Sequence, residues 1–390
     1  MPRLRRSFDP TSYDLAREGR PLTPDELLLK DNIPAFGPSP VSLVEQMSER
    51  IVHVSSRSGE AEPMRAIDRQ DGTSAFRLSE SAFLGRLGGS GERAEVGHGT
   101  GATADTAPFR PEWSGYVYHP KLTVGERVPD LRRADGRRVR PHAVYDPDNR
   151  AFFFPTGYPM HCVGRILVWD DPSASMPQRS GSAVLVGRRV LLTASHMMPR
   201  DGRPGRWGVR FVPGYFDGSS TVGLASWCEA FRVAAVMSGP DDALQAFDVA
   251  VMKLYDPLGD PLGWFGTRSY SSDWEDQAMW TLVGYPGDAA GVVSNGERPT
   301  IQNGISVIDD DPDGSFAEIE HRGDASPGNS GGPLFGTFPD GPYAIGVHSG
   351  DEYRTIDIPL VPTIVAENNN VAAGGAGMVN MVRAAQTDWP

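Results

Sequence analysis

Short apolar runs separated by turn residues dominate the chain from about Phe152 onward. Such runs, bounded by Gly, Pro, Asn and Asp, are typical of strands in antiparallel sheets. They lie at 163–168, 183–186, 190–192, 249–254, 279–284 and 344–347. The triplet Gly187-Arg188-Arg189 predicts a tight hairpin between the second and the third run. We therefore predict an all-β domain of short antiparallel strands.

Helical spacing returns at the C-terminal end of this region. Met378, Val379, Met381 and Val382 recur at the interval of one helix face. They follow Gly374-Gly375, a pair that interrupts regular structure. We predict one helix there, after the last strand.

The first part of the chain follows a different pattern. Thr23-Pro24-Asp25-Glu26 predicts a helix start, because it combines a cap, a proline at the first helical position and acidic residues in the first turn. Ser39-Pro40 predicts a second start, followed by apolar residues at positions 41, 44, 47 and 51. The stretch 56–115 is rich in Gly, Ser, Ala, Arg and Glu without periodicity, which predicts a linker or disorder. We divide the chain into a partly helical or disordered segment, residues 1–143, and a folded domain, residues 144–390.

Composition and charge narrow the functional classes. The 45 Gly and 34 Pro among 390 residues favour short strands joined by many turns. The net charge of -13 argues against a nucleic-acid partner, which normally requires a basic face. No apolar run reaches the roughly 18 residues that a membrane-spanning helix needs. The basic start Met1–Arg6 lacks the apolar core of a standard secretory signal, so we expect a cytoplasmic location or an atypical export route.

Cysteine and histidine patterns give no metal or redox site. The two cysteines, Cys162 and Cys228, are too few for a disulfide scaffold, and their spacing leaves open whether they pair. The eight histidines are scattered, and neither His-Glu-X-X-His nor paired Cys-X-X-Cys occurs. We predict no metal and no cofactor.

The most informative stretch is Gly328-Asn329-Ser330-Gly331-Gly332-Pro333. A serine among glycines allows backbone N–H groups to converge beside its hydroxyl, where the oxyanion of an acyl-transfer intermediate would sit. A serine in a Gly-rich turn is also common as a purely structural loop, and its hydroxyl is a poor nucleophile without a base. The interpretation therefore depends on partner residues elsewhere in the chain.

Two upstream residues supply those partners. His196 ends the run Thr193-Ala194-Ser195-His196, directly after an apolar strand, and Asp248 opens the strand that follows it. A carboxylate at the mouth of a buried strand needs a partner such as an imidazole N–H. His, Asp and Ser in this chain order predict a triad in which His196 is the general base, Asp248 orients it and Ser330 attacks.

Two alternatives compete with this assignment. Asp241-Asp242 lies near Asp248, but its Gly- and Pro-rich loop indicates solvated side chains. The pattern Gly328-X-Ser330-X-Gly332 also matches the nucleophile elbow of α/β-hydrolases, which requires an acid and a histidine after the serine. His348 is the sole histidine after that position, and no alternating strand-helix pattern precedes it.

Four motifs together resemble a known family. They are Thr193-Ala194-Ser195-His196, Asp248-Val249-Ala250-Val251, Gly284-Tyr285-Pro286-Gly287 and the run from Asp324 to Pro333. They look like those of bacterial chymotrypsin-fold serine peptidases and are most similar to the V8-like glutamyl endopeptidases, over roughly 144–390. The resemblance implies a double antiparallel β-barrel that hydrolyses protein or peptide substrates. It also implies an oxyanion hole formed by the N–H groups of Gly328 and Ser330.

The resemblance extends to the substrate pocket. His348 resembles the histidine that contacts a glutamate at P1 in glutamyl endopeptidases, and we place the adjoining Ser349 with it among the candidate substrate-binding residues. Ala325 stands where that group usually has a hydroxyl side chain, and Asp324 stands at the position that selects Arg or Lys in trypsin-like enzymes. We expect a preference for Glu or Asp at P1, with cleavage after Arg or Lys as the alternative.

Two other functions are alternatives to the peptidase. The rivals are a catalytically silent chymotrypsin-fold binding module and an HtrA-type protease-chaperone, although the stretch after Ser330 is short for the PDZ domain of the latter.

Asn329 replaces the aspartate that many animal zymogens pair with a new N-terminal amine. We expect residues 1 to about 140 to be an inhibitory segment that cleavage removes, because the chain shortly before Val144 is Gly-rich and is basic at 132–133 and 137–140.

Overall fold

The computed structural model describes residues 105–115, 143–145, 147–171, 174–199, 207–237, 244–352 and 368–390, together with the backbone of strands outside these ranges. In chain order the strands are β1 Arg20–Pro21, β2 Met47–Ser55, β3 Ala61–Arg69, β4 Ser74–Arg77, β5 Val117–Tyr118, β6 Ala151–Phe152, β7 Val163–Trp169, β8 Arg179–Leu185, β9 Val190–Thr193, β10 Arg206–Pro213, β11 Tyr215–Phe216, β12 Ser219–Ser220, β13 Ser226–Val233, β14 Ala250–Leu254, β15 Gly266–Thr267, β16 Trp280–Gly284, β17 Asp288–Ala289, β18 Val292–Val293, β19 Thr300–Ile305, β20 Val307–Asp313, β21 Phe316–His321, β22 Pro333–Phe338, β23 Gly341–Ile356 and β24 Ile364–Gly374. The helices are α1 Gly259–Leu262 and α2 Gly375–Asp388, and short 3-10 helices span Met160–Cys162, Ser195–Met197, Gln245–Phe247 and Ser272–Trp274.

The first sheet closes into a six-stranded barrel. Its strands follow the order β7, β8, β9, β14, β13, β10, and β10 pairs antiparallel with β7 to complete the circle. Alternate side chains of these strands fill the interior and are fully buried, namely Ile166, Val184, Leu192, Phe211 and Met252. Closure joins the two ends of this set of six strands. Outside the closed set, β1 pairs in parallel with the first residues of β10.

The second sheet repeats the same topology. Strands β19 and β20 are consecutive in the chain; β19 pairs with β16 and β20 with β21, so together they act as one bent strand. The order around this barrel is then β16, β19 with β20, β21, β24, β23, β22 and back to β16. Numbered along the chain, the six strands of each barrel follow the order 1-2-3-6-5-4. The double barrel and the C-terminal helix predicted from the sequence are confirmed.

An apolar layer joins the two barrels. Phe265, in the connection between them, stacks edge-on against Phe335 of the second barrel with 5.0 Å between ring centroids. Helix α2 adds Met378 and Val379 to the same buried cluster, which also contains side chains of the first barrel. The ends of β9, β14 and β22 that carry the candidate chemistry are therefore set by a shared core.

The N-terminal region differs in part from the sequence-based prediction. Apolar spacing predicted a helix continuing to position 51, but Met47–Ser55 is strand β2 and pairs with β3 along its whole length. The segment Ile51-Val52-His53-Val54 contains three β-branched residues, which favour a strand, and cross-strand pairing decides between the two patterns. The predicted helix start at residues 23–26 lies outside the described residues.

The predicted linker or disorder over 56–115 is wrong in two places, because β3 and β4 pair with each other and residues 105–115 belong to the folded body. The backbone groups of Thr106 exchange hydrogen bonds with Thr267, and those of Phe109 with Trp264, at 2.9–3.1 Å. Asp105 also forms an ion pair with Arg268, with 2.7 Å between the charged atoms. Local composition missed this segment because its partners lie about 160 positions further along the chain.

Two sequence-based expectations concern cysteine pairing and membrane-spanning helices. Cys162 and Cys228 are both buried and unpaired, so the disulfide that the sequence left open does not form. Among the described residues, no helix is long and apolar enough to cross a membrane.

We predict that Phe335→Ala destabilises both barrels together. It removes a fully buried ring from the layer between them, which typically costs about 3–5 kcal/mol. Urea unfolding followed by tryptophan fluorescence measures the change. Val293→Ala is the control, because its side chain is 47% exposed and its loss should cost less than about 0.5 kcal/mol. Equal stability of the two variants would contradict the proposed importance of the shared layer.

Candidate active site

His196 and Asp248 come from the ends of two paired strands. Strands β9 and β14 are antiparallel neighbours, with Thr193 opposite Ala250. The chain leaves β9 through a 3-10 turn that contains His196, and Asp248 lies two residues before the start of β14. The pairing therefore brings the two side chains together, and Nδ1 of His196 lies 2.6 Å from Oδ2 of Asp248.

Four hydrogen bonds surround the carboxylate of Asp248. Its Oδ1 accepts from the backbone N–H of His196 and from Oγ of Ser195, both at 2.8 Å. Its Oδ2 is bonded to the His196 ring and accepts from Oγ of Ser349 at 2.6 Å. The carboxylate is fully buried, and burial alone would raise its pKa. The charge and hydrogen bonds of His196, with the Ser349 hydroxyl, outweigh burial and hold the pKa below its ordinary value.

Ser330 lies on a turn that we call the nucleophile turn, residues 326–332. Gly331 has φ +79°, and a Cβ there would lie 2.1 Å from Oγ1 of Thr193 and 3.0 Å from the backbone nitrogen of Ala194. Only glycine fits so close to the end of β9. The carbonyl of Ser330 accepts from the N–H of Ser182 at 2.8 Å. The turn is thus packed against the strand end that leads into His196.

Two backbone N–H groups of the nucleophile turn are left without an acceptor. Within the part of the chain that the structure describes, the N–H groups of Gly328 and Ser330 donate to no protein atom, whereas those of Asn329, Gly331 and Gly332 all do. Gly328 adopts φ +102°, and a Cβ there would approach the carbonyl oxygen of Tyr285 to 2.3 Å. This backbone geometry leaves two donors beside Ser330 for an external acceptor.

In the structure, no hydrogen bond joins the Ser330 and His196 side chains. Both residues are buried, with exposed fractions of 5% for Ser330 and 6% for His196. Contacts between catalytic groups are often long without substrate and shorten when it binds. The structure therefore joins His196 directly to Asp248, and it brings the Ser330 backbone against the adjoining strand ends.

Asp324 and Ala325 contact an upstream segment that we call the strap, residues 143–145 and 147–150. The two carboxylate oxygens of Asp324 accept from the backbone N–H groups of Tyr145 at 2.6 Å and Asn149 at 2.8 Å. Burial raises the pKa of Asp324, and these two bonds act in the opposite direction. The N–H of Ala325 donates to the carbonyl of Ala143 at 3.1 Å. Asp324 thus uses its carboxylate to hold the strap.

His348 and Ser349 lie on β23 and are fully buried. The carbonyl of His348 accepts from the N–H of Gly331, and its N–H donates to the carbonyl of Gly332, both at 2.8 Å. The strand thus runs beside the nucleophile turn. Ser349, which we placed among the substrate-binding residues, directs its hydroxyl to Asp248.

Sequence reasoning missed several residues of the site. His321 on β21 stacks against His348 with 6.0 Å between ring centroids, and burial lowers its pKa to about 3, so it is neutral. Ser182 on β8 donates its hydroxyl to the carbonyl of Gly328 at 2.7 Å. Ser195 had a local signal, since it directly precedes His196. No local signal marks His321 or Ser182, because both reach the site through strands distant in the chain.

The described residues contain no group of three or more His, Cys, Asp or Glu arranged to hold a metal ion. The chemistry available from the residues present is an imidazole held by a buried carboxylate, a nearby serine and two unbonded backbone donors.

Comparison with known proteins gives a family match. Residues 181–338, from β8 to the end of β22, match the profile described as a trypsin-like peptidase domain. This stretch contains His196, Asp248 and Ser330. No curated protein matches the chain. A solved structure titled "Structure of Glu endopeptidase in complex with MPD" is similar with a TM-score of 0.44 and 19% identity, over 63% of this chain and 100% of that chain. The profile match and the two barrels support a serine peptidase of the chymotrypsin fold.

Proposed function

We propose that the protein is a serine endopeptidase that uses His196, Asp248 and Ser330 as a catalytic triad. The observation that carries the proposal is the 2.6 Å hydrogen bond between Nδ1 of His196 and the buried carboxylate of Asp248, with Ser330 on the adjoining turn. A hydrogen bond to Nδ1 places the proton there and leaves Nε2 as the basic nitrogen. That is the tautomer that a general base requires.

The reaction follows from these roles. Oγ of Ser330 attacks the carbonyl carbon of the scissile peptide bond, and Nε2 of His196 takes the hydroxyl proton. The carbonyl oxygen becomes an oxyanion, which the N–H groups of Gly328 and Ser330 stabilise. His196 then gives its proton to the leaving amine, and the C–N bond breaks to leave an acyl-enzyme. Water attacks the acyl group by the same steps, and the acid product and free Ser330 are released.

Asp248 stays ionised throughout this cycle. Its low pKa and four hydrogen bonds keep a negative charge beside the imidazolium that forms when His196 takes the proton. The hydroxyls of Ser195 and Ser349 hold both carboxylate oxygens in position. No cofactor or metal takes part in this chemistry.

We further propose a preference for Glu or Asp at P1. Asp324 would favour Arg or Lys if its carboxylate faced the substrate, but both of its oxygens accept hydrogen bonds from the strap. His348 lies on the strand beside the nucleophile turn and remains the candidate partner for an acidic side chain. Ala325 offers no hydroxyl to a P1 carboxylate, so His348 carries this specificity.

The two rival functions are distinguished by chemistry. A silent binding module has no activated serine, so a fluorophosphonate would not label it. A protease-chaperone would be labelled and would also suppress aggregation of an unfolded client with Ser330 replaced by Ala. We favour the peptidase because Asp248, His196 and the free N–H groups of the nucleophile turn are all in place.

We predict that Ser330→Ala abolishes peptide hydrolysis and fluorophosphonate labelling without unfolding the protein. His196→Ala should have a similar effect, with turnover lower by about 10⁶-fold, because members of a triad act as a unit. The control is Ser226→Ala, which removes a buried hydroxyl of β13 that bonds Asp256. Unchanged turnover in purified Ser330→Ala would end the peptidase proposal.

We predict that His348→Ala lowers kcat/KM for Glu substrates far more than for matched neutral substrates. The variant removes the charge-assisted partner of the P1 carboxylate. The Glu-to-neutral ratio is independent of the amount of folded enzyme, and His161→Ala, another buried histidine, should leave it unchanged. A peptide-library profile with cleavage after Arg or Lys that disappears in Asp324→Asn would instead assign the pocket to Asp324.

We propose that residues 1 to about 140 form a removable inhibitory segment. Ala143 is held by the side chain of Asn370 through both its N–H, at 3.0 Å, and its carbonyl, at 2.6 Å. Cleavage shortly before this point would leave a new amine near Ala325, whose N–H bonds the Ala143 carbonyl. Such an amine would complement an acidic P1 side chain.

We predict that active enzyme begins near residue 143. Mass spectrometry of the active species gives its N-terminus, and a variant with Gln at all three arginines of the basic run 137–140 should remain long and inactive. Full activity in a chain that still begins at Met1 would contradict the zymogen proposal.

A further inference from the structure

Arg150 is a buried cation that the proposed mechanism does not use. It ends the strap just before β6, and its side chain is 3% exposed. Its Nε and Nη2 donate to the two carboxylate oxygens of Asp148 at 3.0 and 2.8 Å. Its Nη1 points the other way, to Oγ of Ser326 at 2.7 Å and to Oδ1 of Asn329 at 3.4 Å. A buried guanidinium is costly unless its donors are satisfied, and here two of the acceptors belong to the nucleophile turn.

Ser326 and Asn329 are the residues that close this turn. The N–H of Ser326 donates to Oδ1 of Asn329 at 3.1 Å, and the N–H of Asn329 donates to the carbonyl of Ser326 at 3.0 Å. The hydroxyl of Ser326 donates to the carbonyl of Asp288 at 2.8 Å. Arg150 therefore contacts the side chains of the two residues that bond each other to close the turn. Gly328 and Ser330, with their unbonded N–H groups, lie at and just beyond this closure.

We propose that Arg150 is a positioning residue for the nucleophile turn. Its forked guanidinium, fixed on one side by Asp148, holds the side chains of Ser326 and Asn329 and thereby the direction of the N–H groups of Gly328 and Ser330. The catalytic consequence rests on the proposed peptidase function, whereas the effect on the turn does not.

The anchoring of Arg150 is local and rigid. The Asp148 carboxylate also accepts from the N–H of Ala290 at 2.7 Å. Burial would raise the pKa of Asp148, but the hydrogen bonds and charge of Arg150 hold it below the ordinary value. The neighbouring Asn149 N–H is bonded to Asp324. Several backbone and side-chain hydrogen bonds thus fix the strap, and the fixed strap places the Arg150 guanidinium beside the nucleophile turn.

The position of this cation explains how an uncharged Asn329 is compatible with an ordered turn. An aspartate here could pair with a free terminal amine, whereas an asparagine accepts only a neutral hydrogen bond through Oδ1. Arg150 supplies the positive charge from within the chain and reaches both Asn329 and Ser326. Ordering of the turn therefore requires the strap to be docked, and it does not require a newly cut terminus.

The test compares Arg150→Met with Arg165→Met. Arg165 is a matched control, because its side chain is 4% exposed, it pairs with Glu297 at 2.6 Å, and its hydrogen bonds go to residues outside the nucleophile turn. We expect Arg150→Met to lower kcat by about 10²-fold with little change in KM, since misplaced oxyanion donors affect the transition state more than substrate binding. Arg165→Met should retain kcat in its folded fraction. Arg150→Lys should fall between, because one ammonium lacks the fork that spans Asp148 and the turn.

Hydrogen exchange supplies a readout that is independent of activity. Peptides covering residues 326–332 should exchange faster in Arg150→Met than in wild type or Arg165→Met, while those covering β9 and β14 stay the same. If wild type hydrolyses no peptide, the proposed function fails and exchange still decides the role of Arg150. If Arg150→Met fails to fold, Ser326→Ala replaces it and should give the same local increase in exchange.

Two results would overturn the proposal. One is wild-type kcat and wild-type exchange of the turn in folded Arg150→Met. The other is an increase in exchange spread evenly over both barrels, equal to that of Arg165→Met, which would mark Arg150 as a contributor to global stability alone.

Discussion

The buried carboxylate of Asp248 accepts hydrogen bonds from residues of both barrels. Its donors come from both sides, with Ser195 and His196 following the first barrel's β9 and Ser349 lying on the second barrel's β23. An ionised carboxylate removed from water is strongly unfavourable unless hydrogen bonds replace its hydration. The barrels must therefore meet in one arrangement for this charge to be tolerated, and that arrangement also orients the imidazole.

Close packing against neighbouring backbone is a second constraint, and it fixes the shape of the nucleophile turn. Its glycines approach neighbouring backbone so closely that side chains are excluded, as at Gly331 beside Thr193. Ser182 of the first barrel binds the carbonyls of Ser330 and Gly328, which belong to the second. The turn is therefore shaped by contacts across the barrel boundary, and its two unbonded N–H groups result from how its other groups are already satisfied.

The strap shows how a segment outside the barrels contributes to the same region. Asp324, Asn370 and Ala325 all bond its backbone, and Arg150 brings a buried charge against the turn. Asp324 illustrates the consequence for specificity. Its position along the chain favoured a role in substrate selection, but its oxygens serve the strap.

Much of the architecture was readable from the sequence, because it depends on local chemistry. Short apolar runs predicted the strands, Gly187-Arg188-Arg189 predicted the hairpin that joins β8 to β9, and Gly374-Gly375 marked the change from β24 to α2. The candidate residues His196, Asp248 and Ser330 stood out because each lies at a strand end or in a glycine-rich turn. For the N-terminal region, local spacing misled, since Met47–Ser55 is a strand whose pairing with β3 outweighs its helical periodicity.

Tertiary structure decided what depends on contacts between distant positions. The use of Asp324 by the strap, the stacking of His321 on His348 and the bonds from Arg150 to Ser326 and Asn329 all join residues far apart or on different strands. Local composition likewise predicts a linker at residues 105–115, whereas the pairing of this segment with Trp264 and Thr267 makes it part of the folded body. A sequence records side-chain chemistry and local periodicity, so it identifies the reactive groups. Which partners satisfy a buried charge is fixed only when the chain has closed both barrels around it.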